Sequence, residues 1–165
     1  CSITFGAPSK TFNIAGIVSS YCVVPNEELR RPFFEWLDAN ELSEPTIFSP
    51  IATIAAFKYG EEWRRQMLEY IEANIDFVDN FLKTRIPQIK ALRPQASFLI
   101  WLNCRALNLN HEDLNRLFVD GARLALNDGE MFGQEGRGFM RMNIASPRAV
   151  LQDALERLEN AVKAL

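Results

Sequence analysis

The segment 61–85 constrains the fold of this chain more than any other part of its sequence. Its apolar residues recur at steps of three and four positions: Trp63, Met67, Tyr70, Ile71, Ile75, Val78, Phe81 and Leu82. This spacing places them on one face of an α-helix, and Pro87 prevents the helix from continuing. A long helix with one apolar face has to bury that face against another layer of structure.

Helices and strands alternate after this segment. We expect a strand over 97–102, a helix capped by Asn110 and reaching about residue 125, a short strand or extended loop at 131–132, a strand over 139–144, and a closing helix that begins at Ser146-Pro147. This order predicts an α/β (α+β) fold in which helices cover a small sheet.

The first fifty residues have a different organisation. Short β-branched runs at 3–5 and 17–24 predict two strands of a mostly buried sheet. Asn26 is a candidate N-cap for a helix over 27–40, which Pro32 is expected to kink or break. Ser49-Pro50 offers an N-cap and a first-turn proline for a helix that Gly60 ends.

Composition excludes several classes of function. The 165 residues are 48% hydrophobic, which is enough for a large core. With 18 basic and 21 acidic residues and no block of like charge, nucleic acid is not an expected partner. No apolar run is long enough to span a bilayer, so no membrane association is expected. Cys1, Cys22 and Cys104 form no motif, which favours a reducing cytoplasm over a disulfide framework.

Metal and triad chemistry have little support in the sequence. His111 is the only histidine, so a multi-histidine metal site is impossible, and no Cys-x-x-Cys pair offers a zinc site. We predict no metal. A histidine-based triad would depend on this one residue at a helix start.

Lys10 is the first candidate for chemistry. It is the only charged residue in the stretch 6–16, among small and apolar residues. Loss of hydration disfavours the charged form of a lysine, and a neutral amine can attack a carbonyl carbon. The alternative is an ordinary lysine on a surface turn.

Arg141 is the second candidate, in the segment Gly138-Phe139-Met140-Arg141-Met142-Asn143. Its neighbours in the predicted strand are apolar, and a buried guanidinium requires an anion, for which a carboxylate has the matching bidentate geometry. The alternative is a salt bridge to a structural Asp or Glu. We expect Arg137 and Arg148 to be structural or solvated, and the glycines Gly133, Gly136 and Gly138 to form a turn before the strand, since their spacing fits no phosphate-binding motif.

Two stretches together resemble a known family: Ala7-Pro8-Ser9-Lys10-Thr11-Phe12-Asn13-Ile14-Ala15-Gly16 and the Gly-Phe-x-Arg-x-Asn motif around Arg141. They resemble pyridoxal-phosphate (PLP) enzymes of fold type I, the aspartate aminotransferase superfamily, above all the carbon–sulfur β-lyases of the MalY/PatB type. The resemblance extends in order along the chain and includes the tryptophan-bearing strand at 96–107. Aspartate aminotransferases have a serine and an arginine for the cofactor phosphate where this chain has Ala7 and Val18, a departure that PatB-like sequences share.

The resemblance implies specific roles for three residues. Lys10 would bind the PLP aldehyde covalently and later accept the Cα proton, Ser9 would contribute to phosphate binding, and Arg141 would bind the α-carboxylate of the substrate. It also implies a homodimer that cleaves L-cystathionine or cysteine S-conjugates to a thiol, pyruvate and ammonia. Residues 1–50 would be the end of the PLP-binding large domain with its linker, and residues 51–165 the small C-terminal domain.

The chain begins without methionine in what reads as a strand already under way, so we expect a C-terminal fragment of a longer protein, with little or no lyase activity of its own. Two alternatives stay open. One is an aminotransferase, in which no carbon–sulfur bond breaks. The other is a noncatalytic dimerisation or binding module.

Overall fold

The computed structural model describes residues 1–165. The chain consists of two compact units, Cys1–Leu68 and Glu69–Leu165. None of the helices combines the length and the apolar composition needed to cross a lipid bilayer.

The first unit contains a two-stranded sheet and two complete helices. Strands β1 (Thr4–Gly6) and β2 (Tyr21–Val23) pair antiparallel and are followed by helices α1 (Glu27–Ala39) and α2 (Phe48–Tyr59). The backbone N–H of Leu29 donates to the Asn26 side chain, as the predicted N-cap requires. The predicted break at Pro32 is wrong, because α1 continues through it.

The predicted burial of the first sheet is also wrong. Phe5 on β1 is 67% exposed and Val23 on β2 is 53% exposed. The reason is that no second layer of this unit covers these side chains. Many large apolar side chains of α2 and its flanks are likewise exposed, among them Ile47, Phe48, Ile51 and Ile54.

The second unit is a four-stranded antiparallel sheet covered by helices. Its strands β3 (Lys90–Leu92), β4 (Leu99–Asn103), β5 (Asn127–Asp128) and β6 (Phe139–Asn143) are arranged in the order β3-β4-β6-β5. Helix α3 (Glu61–Arg85) begins in the first unit and enters the second, where α4 (His111–Arg116) and α5 (Arg148–Lys163) follow. The predicted long helix is therefore confirmed.

Alternation along β4 and β6 gives the sheet two different faces. Ile100, Leu102, Met140 and Met142 are buried on one face, together with the apolar residues of α3 and α5 in the core of this unit. Trp101 and Arg141 are directly opposite each other in the register of β4 and β6, and their side chains project from the other face. The side chains on this second face are therefore not part of the core.

Two predictions in this unit need correction. The helix capped by Asn110 ends at Arg116, and a wider helical turn follows over Leu117–Gly121, before Arg123 adopts a left-handed conformation with φ of 54°. Met131 and Phe132 lie in a 3₁₀ turn (Gly129–Phe132) that follows β5, not in a strand or an extended loop. The short strand β3 was not predicted.

Asn74 on α3 connects this helix to the segment between β6 and α5. Its side-chain amide is fully buried and donates to the carbonyls of Ile144 (2.9 Å) and Ser146 (3.0 Å), while its oxygen accepts from Nε of Arg148 at 2.8 Å. Asn74→Ala leaves these groups unpaired, so we expect it to lower the free energy of unfolding by about 3 kcal/mol. Urea denaturation measures the change. Asn80→Ala, on the exposed side of the same helix, is the control, and a similar loss there would contradict the prediction.

Glu159 on α5 is a buried carboxylate between two cations. Its oxygens lie 2.6 Å from Nζ of Lys163 and 2.5 Å from Nη2 of Arg85. The hydrogen bond from Lys163, followed by that from Arg85, holds the pKa of Glu159 below its ordinary value of 4.5. When folding lowers the pKa of a carboxyl group, the ionised group stabilises the folded protein at pH values above its unfolded-state pKa. This stabilisation is lost as the pH falls through the folded-state pKa.

We therefore expect Glu159→Gln to destabilise the protein most near neutral pH and progressively less as the pH falls below about 4.5. Urea denaturation at several pH values measures the difference. Glu156→Gln, which alters a carboxylate whose partner is the neutral Gln152, is the control. Parallel pH profiles for wild type and Glu159→Gln would contradict the prediction.

Candidate functional site

Lys10 lies in a tight turn between β1 and β2. The backbone N–H of Phe12 donates to the carbonyl of Pro8, and that of Ile14 donates to the carbonyl of Ser9, both at 3.0 Å. Asn13 turns the chain with a φ of 53°, in the left-handed region that Asn tolerates better than most residues. These bonds fix the backbone on both sides of the amine.

Helix α2 holds this turn in place. The Phe12 ring is 9% exposed and packs edge-on against Phe57, with the ring centroids 5.3 Å apart. The buried Ser49 hydroxyl lies 2.8 Å from the Ile17 carbonyl oxygen, to which it donates. Ser49 is thus not the predicted N-cap of α2, which has no side-chain cap. It holds the end of the Lys10 loop instead.

Lys10 and Ser9 have free polar groups in this structure. Neither the Lys10 amine nor the Ser9 hydroxyl forms a hydrogen bond or an ion pair, and Ser9 is half-buried. Lys10 itself is exposed. The expectation that apolar neighbours remove its hydration is therefore wrong for the chain by itself, because Pro8 and Phe12 turn inward and leave the amine in water. A primary amine beside a hydroxyl is still a donor set that suits an aldehyde and a phosphate.

Arg141 projects from the open face of the second sheet. Its Nη2 donates to the Asn127 side-chain oxygen at 3.0 Å, across the β5–β6 pair. Its guanidinium carbon lies 4.4 Å from the centroid of the Phe132 ring, and Phe132 in turn packs edge-on against Trp101 at 5.3 Å. The guanidinium is therefore held by one amide and one aromatic ring.

Arg141 has no carboxylate partner in the chain. It forms no salt bridge, and its Nε is buried with no hydrogen-bond partner. The structural salt bridge considered as the alternative is thus not observed. A buried, unpaired N–H on a cation is costly unless an anion occupies it in the functional state. Arg141 also borders a cavity of about 180 Å³ whose lining includes Asn127, Asn143 and Ser146.

The other arginines considered have structural or solvated roles, as predicted. Arg148 donates to Asn74 and lies 4.6 Å from the Phe77 ring centroid. Arg137 is 72% exposed and 3.5 Å from Glu130. The nearby glycines form turns before β6, as expected. A Cβ on Gly129 would lie 2.1 Å from the carbonyl oxygen of Gly136, so the two backbones touch.

Cys104 and His111 do not form a nucleophile with its base. Burial raises the pKa of the Cys104 thiol to about 12, so the thiol stays protonated at neutral pH. His111 contacts two carboxylates, at 3.1 Å from Asp128 and 3.3 Å from Glu130. Nucleophilic chemistry through these residues has no support here.

Sequence reasoning proposed Ser9, Lys10 and Arg141 as site residues and did not name the residues that contact them in the structure. Ser9 and Lys10 are adjacent in the first unit, and Arg141 lies in the second. Asn127 and Phe132 reach Arg141 only through the strand register and the 3₁₀ turn, for which the sequence has no periodic signal. Phe132 and Asn127 precede the Gly-Phe-x-Arg motif in the sequence, but nothing in the sequence marks them as contacts of Arg141.

Comparison with known proteins defines the class. No protein-family model matches the sequence. Cystathionine β-lyase PatB of Bacillus subtilis (strain 168) is 37% identical over 161 residues, covering 98% of this chain and 42% of PatB. Protein MalY of Escherichia coli (strain K12) is 30% identical over 158 residues, covering 95% of this chain and 40% of MalY.

Solved structures give the same result. Cystalysin from Treponema denticola, whose structure contains pyridoxal 5'-phosphate, superimposes with a TM-score of 0.94 at 34% identity, covering 98% of this chain and 41% of cystalysin. Aminotransferases are also relatives, such as the aspartate aminotransferase of Pyrococcus horikoshii, 26% identical over 94% of this chain and 39% of that protein.

The fold is therefore that of a PLP-dependent carbon–sulfur lyase or aminotransferase, as the sequence predicted. More particularly, the chain is homologous to cystathionine β-lyases of the PatB/MalY type and corresponds to the C-terminal portion of these relatives. It spans about two fifths of their length.

Proposed function

We propose that this chain is the C-terminal part of a PLP-dependent carbon–sulfur β-lyase that acts on L-cystathionine or cysteine S-conjugates. The observation that supports this most directly is the Arg141 guanidinium, which has a buried Nε and no carboxylate partner, in a homologue of cystathionine β-lyases. An amino-acid substrate has the α-carboxylate that such a guanidinium can bind.

The residues of the first unit would hold the cofactor. Lys10 would attach its amine to the PLP aldehyde, and Ser9 would donate its hydroxyl to the phosphate. When bound, PLP withdraws electrons from Cα of an amino acid and so makes the Cα proton acidic. The donor set present, an unpaired amine next to an unpaired hydroxyl, fits this group.

The protein residues would then orient the substrate and move one proton. Arg141 would fix the α-carboxylate, and an amino acid held at two points cannot rotate, so its Cα–H bond is oriented for transfer. Lys10, released from the cofactor, would accept the Cα proton as a general base. The Cβ–S bond breaks, the sulfur leaves as a thiol, and water completes the products pyruvate and ammonia.

Several features of the whole protein belong to the same proposal. Residues 1–50 would be the end of the PLP-binding domain with its linker, and residues 51–165 the small domain. The whole protein would be a homodimer in the cytoplasm. The three cysteines of this chain form no disulfide, which is compatible with a reducing compartment.

Two measurements test the proposal. The coding DNA upstream of Cys1 should continue in frame into a PLP-domain sequence, and the product of that frame should release thiol and pyruvate from L-cystathionine. Borohydride treatment of the PLP-loaded product should attach pyridoxyl to the peptide that contains Lys10. Attachment at another lysine, or stoichiometric PLP binding with thiol release by the 165-residue chain alone, would contradict the proposal.

The aminotransferase relatives favour one second candidate. In an aminotransferase Lys10 and Arg141 would have the same contacts, but the proton would return to the cofactor side and no carbon–sulfur bond would break. Product analysis separates the two. Pyruvate and thiol without an added keto acid indicate a lyase, whereas turnover that depends on a keto-acid acceptor indicates transamination.

A further inference from the structure

We propose that His111 is a positioning residue for Arg141: it anchors the 3₁₀ turn Gly129–Phe132, and this turn places the Phe132 ring against the guanidinium that binds the substrate carboxylate. The inference rests on the proposed role of Arg141. It extends that role to a residue 30 positions earlier in the sequence, on a different element.

The first step is the contact between His111 and the start of the turn. Nε2 of the His111 ring lies 3.1 Å from Asp128 Oδ2, and Nδ1 lies 3.3 Å from Glu130 Oε1. The imidazole lies between the two carboxylates, so one ring contacts two residues of the same short segment, and its Nε2 also lies 3.1 Å from Nδ2 of Asn115. Asn115, one turn further along α4, also donates to Asp128 Oδ2 at 3.1 Å.

The second step is the turn itself. Asp128 uses its other oxygen to accept from the backbone N–H of Glu130 at 2.9 Å, which caps the turn. His111 therefore contacts the same carboxylate that caps the turn. Gly129 is buried and its backbone contacts that of Gly136, so the turn has a second fixed point.

The third step leads from the turn to Arg141. The last residue of the turn, Phe132, lies 4.4 Å from the Arg141 guanidinium carbon. Asn127, the residue before Asp128, accepts from Arg141 Nη2 at 3.0 Å. The segment anchored by His111 thus has a contact with Arg141 at each end.

These contacts matter because a guanidinium binds a carboxylate bidentately only in one plane. Phe132 covers one face of the group and attracts it through the ring quadrupole, and Asn127 occupies one Nη2 hydrogen. Together they restrict the rotation of Arg141, whose buried Nε has no hydrogen-bond partner within the chain. A binding group that is already held in place loses less conformational entropy when the ligand arrives.

Other charges near His111 do not replace it. Arg137 lies 3.5 Å from Glu130 but is largely exposed, and it has no contact with Asp128. Within α4, Glu112 pairs with Arg116 at 2.5 Å and is mostly exposed. Among the basic side chains, His111 is therefore the one that contacts Asp128, the cap of the turn.

The test uses the 165-residue chain with L-alanine as the probe, since L-alanine has an α-carboxylate but no group that can leave. The Nε–H resonance of Arg141 in a ¹H–¹⁵N spectrum is assigned by its loss in Arg141→Lys, and L-alanine is titrated against it. We expect His111→Ala to shift this resonance in the free protein and to weaken L-alanine binding about tenfold, as loss of an outer partner does for ligating groups at metal sites.

Two further variants separate positioning from general damage. His111→Gln keeps one N–H donor toward Asp128 and should restore binding to within about threefold of wild type. Glu112→Gln, the neighbouring residue on the same helix, is the matched control and should leave both readouts unchanged. If His111→Ala does not fold, Phe132→Leu tests the last contact and should shift the same resonance and weaken binding.

Two results would overturn the inference. Wild-type binding and an unchanged Arg141 resonance in His111→Ala or Phe132→Leu, with binding lost in Arg141→Lys, would refute the positioning role and leave the proposed function intact. Equal L-alanine affinity in wild type and Arg141→Lys would refute the carboxylate role of Arg141, and the positioning role with it.

Discussion

Lys10→Ala is expected to lower the rate of thiol release from L-cystathionine by about 10²–10⁴-fold in the upstream-extended protein, because it removes the proposed general base. It also removes the amine that would hold the cofactor. Borohydride should then attach no pyridoxyl to the turn peptide. Steady-state kinetics and mass spectrometry of the reduced protein measure the two effects.

Lys58→Ala is the matched control for this experiment. Lys58 is an exposed lysine on α2 in the same unit, where its amine lies 5.2 Å from the Tyr59 ring centroid. We expect it to change neither measurement. Since the Lys10 turn is held by Phe12 and Ser49, the alanine at position 10 should leave the thermal stability of the protein unchanged. A Lys10→Ala variant with wild-type turnover would refute the proposed base.

Arg141→Lys is expected to lower kcat/KM for L-cystathionine by about 10- to 150-fold, because it removes one of two charge-assisted hydrogen bonds, each worth about 1.5–3 kcal/mol. Lysine keeps the charge but not the planar pair of donors, so the loss measures geometry more than electrostatics. The main change should be in KM, if Arg141 binds the carboxylate equally in the ground state and the transition state.

Arg116→Gln is the control for this substitution. Arg116 lies on the surface of α4, where it pairs with Glu112 and Asp113. Its loss should change kcat/KM by less than about twofold, since surface ion pairs contribute little. An Arg141→Lys variant that behaves like Arg116→Gln would show that the carboxylate is bound elsewhere.

The sequence predicted elements whose signals are local. The apolar spacing of α3, the Asn26 and Asn110 caps, and the stop at Pro87 all act within a few residues, and the structure has each of them. The predictions failed where tertiary contacts decide the outcome. Ser49 bonds to a loop 32 residues away instead of capping its own helix.

Burial was predicted less well than secondary structure. The runs 3–5 and 17–24 have the composition of buried strands, but composition cannot show whether a second layer is present to cover them. The same reason explains Lys10, whose neighbours are apolar in sequence while its amine is in water. The first unit has too few elements to enclose its own apolar side chains.

The sequence proposed chemical groups for the candidate site but not the residues that hold them in place. Lys10 and Arg141 were proposed chiefly because their segments resemble those of PLP-dependent enzymes, and such motifs are local in the sequence. Asn127 and Phe132 are 14 and 9 residues from Arg141 in the sequence, and only the β5–β6 pairing and the 3₁₀ turn bring them together. Contacts of that kind depend on register, which a single sequence does not specify.

The backbone contact between Gly129 and Gly136 limits how this protein can diverge. A methyl group at either position would enter the space of a peptide carbonyl, which no rotamer change can relieve. The aromatic ring at position 132 and the two glycines should therefore be inherited together in natural variants. A lineage that loses one of the glycines would need a new way to place an aromatic ring against Arg141.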